Sequence, residues 1–222
     1  MWAEQAIFTS LTRRGRAGYH VVARSPGLSE PDLTVLSAWS PSHGALIVDG
    51  SNRTSVNVHP MPGGRLALSR TCEGPAEYSG RGGRQLYTHA LIVEPKALKP
   101  AAHHPLLFYR AVLAQGQVHF QTDPPPCLDP VRLPTTFAVR GATYWDERAG
   151  TRGRPALEAL AARLAAGETV QFAHKGDRTA LAECLIGLLP PEARLAISVA
   201  TSLLPSAVRP FRLVMIGLGI EK

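Results

Sequence analysis

Residues 77–93 read EYSGRGGRQLYTHALIV, a glycine-rich turn carrying Arg81 and Arg84 that runs straight into an apolar stretch. Two folds compete for this segment. A phosphate-cradling loop hands a strand over to a helix, whereas a hairpin turn hands one strand to the next. A Walker loop requires Gly-Lys followed by Ser or Thr, because the lysine reaches the phosphates and the hydroxyl binds magnesium. Here Gly83 is followed by Arg84 and Gln85. A dinucleotide loop requires Gly-x-Gly-x-x-Gly before a helix, and Gly80, Gly82 and Gly83 do not keep that spacing. The residues after the glycines alternate as a strand does: Tyr87, His89, Leu91 and Val93 point to one side and Thr88, Ala90 and Ile92 to the other. Both sides are mostly apolar, which places the strand inside a sheet. The glycines then supply positive φ in an exposed connection, and Tyr78 and Gly80 shape a loop on which Arg81, Gly82, Gly83 and Arg84 form an anion-binding or partner-binding surface.

Hairpins continue on the N-terminal side. Residues 4–11 and 18–24 read as two strands joined by a glycine-centred turn, TRRGRA. In SVNVHPMPGGRLALSRT, residues 55–71, Val56 and Val58 alternate with polar neighbours, PGG reverses the chain at Pro62 to Gly64, and Leu66 and Leu68 alternate again. Between these hairpins SEPDLTVLSAW reads as a short helix capped by Ser29 or Asp32, with Leu33, Leu36 and Trp39 at three-residue spacing. On the C-terminal side, HHPLLFYRAVLAQ is a helix with Pro105 in its first turn. TDPPPCLDPVRLP, residues 122–134, is an irregular connection, since its prolines remove donors and fix φ.

Beyond Arg154 helical periodicity takes over. RPALEALAARLAAGE aligns Leu157, Leu160, Ala161 and Leu164 on one stripe, with Pro155 in the first turn and Gly167 past the end. ETVQFAHKGD reads as a strand, and a helix capped by Asp177 then buries Leu181, Cys184, Leu185 and Leu188. LAISVATSLL and PFRLVMIGLGI read as two further strands. The expected fold is α+β: a mixed sheet with N-terminal hairpins and a C-terminal strand-helix-strand crossover unit. The expected organisation is one composite domain over residues 1–222, with a composition shift near Gly150. A chain that stops just after an apolar strand also reads as the front part of a longer protein.

Bulk properties narrow the function. At 222 residues and 45% hydrophobic, the chain can bury a sizeable core. It has no window of about 18 uninterrupted apolar residues and no secretory leader pattern, so the expected location is the cytoplasm and no membrane partner is expected. Cys72, Cys127 and Cys184 are widely spaced, which favours a reducing compartment over a disulfide framework and carries no metal-ligand spacing. The net charge of +7 comes mainly from arginine, the lysines being Lys96, Lys99, Lys175 and Lys222. These charges are scattered, and Trp2, Trp39 and Trp145 do not interleave with a basic strand, which weighs against nucleic acid as the partner.

Catalytic patterns are sparse. Cys72 and His89 flank the glycine loop and would serve a cysteine-dependent hydrolase if a third group oriented the base; the bland reading is a cysteine in the turn-like TCEGP and a satisfied sheet histidine. HKGDR, residues 174–178, lies where a strand hands over to a helix, but Asp177 would repel an anion there and reads better as a cap. His103 and His104 read as a solvated approach to a helix rather than as a metal pair. No cofactor is expected.

The series EQAIFTSL, GYHVVARSPGLS, SVNVHPMPGGRLALSRT, EYSGRGGRQLYTHALIV and LLPPEARLAISVATSLLPSAVRPFRL is similar to the bacterial GTPase-associated protein N-terminal domain family, in its second type, from about Glu4 to about Phe211. The shared pattern falls on Arg24, Ser25, Pro26 and Gly27 and on Tyr78 to Arg84. The resemblance implies a domain at the front of larger proteins that accompany small GTPases in bacterial conflict or signalling systems, and it brings no catalytic residue with it. The expected function is therefore a non-enzymatic adaptor or regulatory module that docks a small GTPase or another protein of the same system. A cysteine-dependent hydrolase and a basic nucleic-acid-binding domain are the rivals.

Overall fold

The computed structural model describes residues 1–13, 15, 17–50, 53–76, 83–137, 143, 144, 147 and 153–218. Its strands are β1 (Trp2–Ser10), β2 (Tyr19–Arg24), β3 (Thr54–Pro60), β4 (Leu66–Ala76), β5 (Arg84–Val93), β6 (Val131–Arg132), β7 (Val170–Ala173), β8 (Val199–Ala200) and β9 (Leu213–Ile216). The described helices are α1 (Glu30–Trp39), α2 (Pro105–Ala114), α3 (Arg154–Ala165), α4 (Arg178–Gly187) and α5 (Pro191–Arg194). The strands form one mixed sheet in the order β2-β1-β5-β4-β3-β8-β9-β7, with β6 pairing β1. The fold is α+β, as expected.

Local chemistry explains the elements. The Asp32 carboxylate accepts the Ser29 backbone N–H at 2.9 Å and the Ser29 hydroxyl at 2.8 Å, and it pairs with Arg65 at 2.5 Å, so the start of α1 is tied to the β3–β4 hairpin. Asp177 caps α4 by accepting the Ala180 N–H at 2.9 Å. The β1–β2 and β3–β4 pairs are antiparallel hairpins, and β5 lies between β1 and β4 in the sheet interior.

The C-terminal strand-helix-strand crossover is present: α4 links β7 to β8, and β9 lies between them in the sheet, parallel to both. Three details differ from expectation. The stretch read as LAISVATSLL contributes only Val199 and Ala200 as strand, and residues 122–134 contain the two-residue β6. At the end of α4 it is Leu189, 2% exposed, that is fully buried, while Leu188 only packs partly against the core.

Alternation sorts the sheet into two faces. The first carries Ala3, Leu91, Leu68 and Val58 and is covered by α2, α3 and α4 through Phe108, Val112, Leu157, Leu164 and Leu185. The second carries Ala6, Ala90 and Ala67 and is covered by α1 through Leu36, with Leu28 and Met61. Farther along that face Ala200, Val214 and Ile216 pack on Ile47, Leu203 and Phe211. Each fully buried aliphatic side chain contributes about 1.5–3 kcal/mol, so these two layers supply most of the drive to fold.

Candidate functional site

The glycine loop connects β4 to β5, which pair antiparallel from Leu66↔Val93 out to Ala76↔Arg84. Its topology is therefore that of a hairpin and not of a strand-to-helix phosphate loop, as the sequence indicated. Tyr78, Gly80, Arg81 and Gly82 lie outside the described residues, so the site expected there is described only at its C-terminal rim. At Gly83 φ is +106°, and a Cβ there would come within 2.4 Å of His43, so the segment after α1 approaches the hairpin too closely for a side chain. Arg84 is exposed, and its Nε donates to the Gly74 carbonyl at 3.0 Å, bracing the two strands. Exposed Arg53 reaches Glu73 at 3.5 Å near the same end of the hairpin.

The ARSPG segment has a structural role. Ser25 is fully buried; its Oγ accepts the Gln5 N–H at 2.9 Å and its N–H donates to the Gln5 carbonyl at 2.8 Å. Gly27 abuts the Glu4 carboxylate, whose Oε1 would lie 2.5 Å from a Cβ. Arg24 forms an exposed ion pair with Glu30 at 2.9 Å, and Pro26 is exposed. The pattern fixes how β2 turns into α1.

Cys72 lies within β4 and not in a turn. It is opposite Tyr87, and His89 is opposite Arg70, so Cys72 and His89 share a face on neighbouring strands, offset by two positions. Burial pushes the thiol upward, away from thiolate. Burial also holds His89 neutral, with its pKa lowered to about 4, and its ring nitrogens meet Gln5 Oε1 at 2.7 Å and the His119 carbonyl at 3.3 Å. Neither group is set for nucleophilic chemistry. His104 is not solvated as expected: it is fully buried, its Nδ1 accepts the Leu107 N–H at 3.2 Å to cap α2, and its Nε2 lies 2.9 Å from the Glu183 carbonyl. No group of three or more candidate metal ligands occurs among the described residues, and no described helix is long and apolar enough to cross a membrane.

The structure reveals a polar feature that sequence reading missed. On the second face, Thr88 and Thr71 hydroxyls lie 2.8 Å apart, Asn57 Nδ2 donates to Thr71 at 3.2 Å, and Ser55 Oγ donates to Asn57 Oδ1 at 2.7 Å. The Ser202 N–H donates to Ser55 Oγ at 3.0 Å, Arg178 Nε donates to Ser202 Oγ at 3.0 Å, and Arg178 Nη1 donates to Asp49 at 2.8 Å. Thr88, Thr71, Asn57, Ser55, Ser202 and Arg178 are all buried, Arg178 completely. This hydrogen-bonded row runs from the β4–β5 hairpin to the carboxyl ends of the parallel strands, where α4 begins. The only hint in the sequence was the alternation of hydroxyls in residues 55–71, which does not tell a solvated face from a buried one.

The chain matches the family described as GTPase-associated protein 1, N-terminal domain type 2, over residues 2–131. The match takes in the ARSPG segment and the glycine loop and stops at Val131, so residues 188–213, which the resemblance had included, lie beyond it. No curated protein and no solved structure matches the chain. With more than half of its length matched, the chain belongs to the type 2 family of GTPase-associated protein 1 N-terminal domains.

Proposed function

We propose that this chain is a non-enzymatic adaptor or regulatory module that docks a small GTPase or another protein of the same bacterial conflict or signalling system. The family description supports association with GTPases. The observation that carries the docking reading is the basic end of the β4–β5 hairpin, where Arg84 and Arg53 are exposed and Arg81 stands in the connecting sequence. Guanidinium forks suit the carboxylate-rich switch regions of such partners as well as phosphate oxygens.

The test is affinity capture of small GTPases loaded with GTP or GDP analogues, with the native protein as bait. Replacing Arg81 and Arg84 together by glutamate should abolish capture while the far-UV circular dichroism and melting temperature stay close to wild type. Undiminished capture by that variant would remove the hairpin from the interface. Failure of the wild-type chain to retain any GTPase in either nucleotide state would sink the adaptor reading.

A further inference from the structure

The β3–β8 ladder stops early. Asn57 pairs with Ala200 and Val58 with Val199, and continued pairing would set Pro60 opposite Ile197. Proline has no N–H to give a neighbouring strand, so β3 and β8 part there. The gap is a pocket of about 290 Å³ at the turn end of the β3–β4 hairpin, the end of β4 away from the glycine loop. Its walls come from distant parts of the chain: Trp39 at the end of α1, Val58 and Leu66 of the hairpin, Leu195 and Ile197 before β8, and Arg212 before β9.

The walls differ in chemistry. Trp39 is half-buried and stacks on the buried His59 ring, with centroids 5.0 Å apart and planes 4° from parallel, while the Phe211 ring lies edge to face with it at 4.9 Å. These contacts hold the indole in place, and its open part is an aromatic wall. Val58, Leu66, Leu195 and Ile197 add aliphatic surface. Arg212 is half-buried; its Nη2 donates to the Leu164 carbonyl, and its Nε is buried without a hydrogen-bond partner among the described residues. Ser198 Oγ accepts the Arg212 backbone N–H at 3.0 Å, which leaves the serine proton to be donated. No Asp or Glu lines the pocket, and burial keeps His59 neutral, so the Arg212 guanidinium is the one charged group on its walls.

A concave site with aromatic and aliphatic walls and a few placed polar groups is the form that takes a small organic ligand. The volume admits one ring system, and an uncompensated guanidinium selects an acid. We propose that this pocket binds a small aromatic carboxylate, with its ring against Trp39 and the aliphatic wall and its carboxylate on the Arg212 guanidinium and the Ser198 hydroxyl. The site does not depend on the adaptor reading.

The experiment titrates the purified protein with benzoate and with indole-3-carboxylate at ionic strength matched with chloride, following the melting temperature and saturation-transfer NMR of the ligand ring protons. At least one of the two should give a saturable rise in melting temperature together with saturation of its ring protons. Acetate, which lacks the ring, and benzamide, which lacks the charge, should each bind at least about tenfold more weakly. Arg212→Gln should weaken carboxylate binding at least about tenfold. That change also removes the donor to Leu164, so Ala196→Phe is the second variant: Ala196 is exposed and lines the pocket, and the larger side chain should obstruct it while the ligand-free melting temperature stays near wild type. The proposal is overturned by the absence of a saturable response to both carboxylates, by an equal response to acetate or to benzamide, or by a response undiminished in either variant.

Discussion

The two faces of the sheet handle polar residues in opposite ways. On the face under α1, Thr88, Thr71, Asn57, Ser55 and Ser202 pass hydrogen bonds from strand to strand until Arg178 and Asp49 close the row. On the face under α2, among the described residues, Tyr109 keeps a buried hydroxyl without a partner, and Arg70 stands half-buried in β4. Hydrogen bonds in a low-dielectric interior rigidify the elements they join, whereas a buried polar atom left without one costs stability. The first face is built to hold β3, β4, β5 and α4 in register, with Asp49 Oδ1 at the end of the row left without a partner among the described residues; the second carries the orphan hydroxyl of Tyr109.

Acid is the strongest way to probe this contrast, because it acts on both faces. His59 belongs to the hydroxyl face and His89 to the other, while His104 caps α2, and burial lowers the pKa of each to about 4. As pH falls, the unfolded chain takes up these protons first, near its ordinary value of about 6.5. Stability from these groups is therefore complete above about pH 6.5 and is lost between there and pH 4, by on the order of 2 to 3 kcal/mol per histidine. Urea titrations at half-unit steps of pH should show this loss, and His89→Gln should make the curve shallower. A flat profile from pH 7 to pH 4 would contradict neutral burial.

Breaking the satisfied face comes next. Arg178→Ala strips the donors from Ser202, Asp49 and the Ile47 carbonyl and should destabilise the fold by about 3 kcal/mol. Denaturant unfolding measures this directly, and a loss below about 1 kcal/mol would show that the row is not a single network.

The smallest effect separates the faces most sharply. Tyr109→Phe should leave stability unchanged or raise it by up to about 1 kcal/mol, since the hydroxyl it removes is buried without a partner. A clear loss of stability on the same melt would mean that the hydroxyl already has a partner.

How much of this was legible depends on distance along the chain. Ser29 with Asp32, Asp177 with Ala180, and the PGG reversal are interactions within a few residues, so the sequence alone determined α1, α4 and the β3–β4 hairpin. Alternation and glycine spacing likewise settled that residues 84–93 form an interior strand reached from an antiparallel neighbour rather than from a helix, and ARSPG and the glycine loop indicated the family that residues 2–131 match. What remained hidden was set by partners far apart in sequence. The insertion of β9 between β8 and β7, the pairing of Arg178 with Asp49, and the contact of Ser202 with Ser55 join segments separated by more than a hundred residues in the last two cases. Local propensity carries no information about such pairings, because they depend on which strands share an edge and which side chains are then excluded from water. Only the assembled sheet decided that the serines, threonines and one arginine of the second face would be buried, and that the Tyr109 hydroxyl would be left without a partner among the described residues.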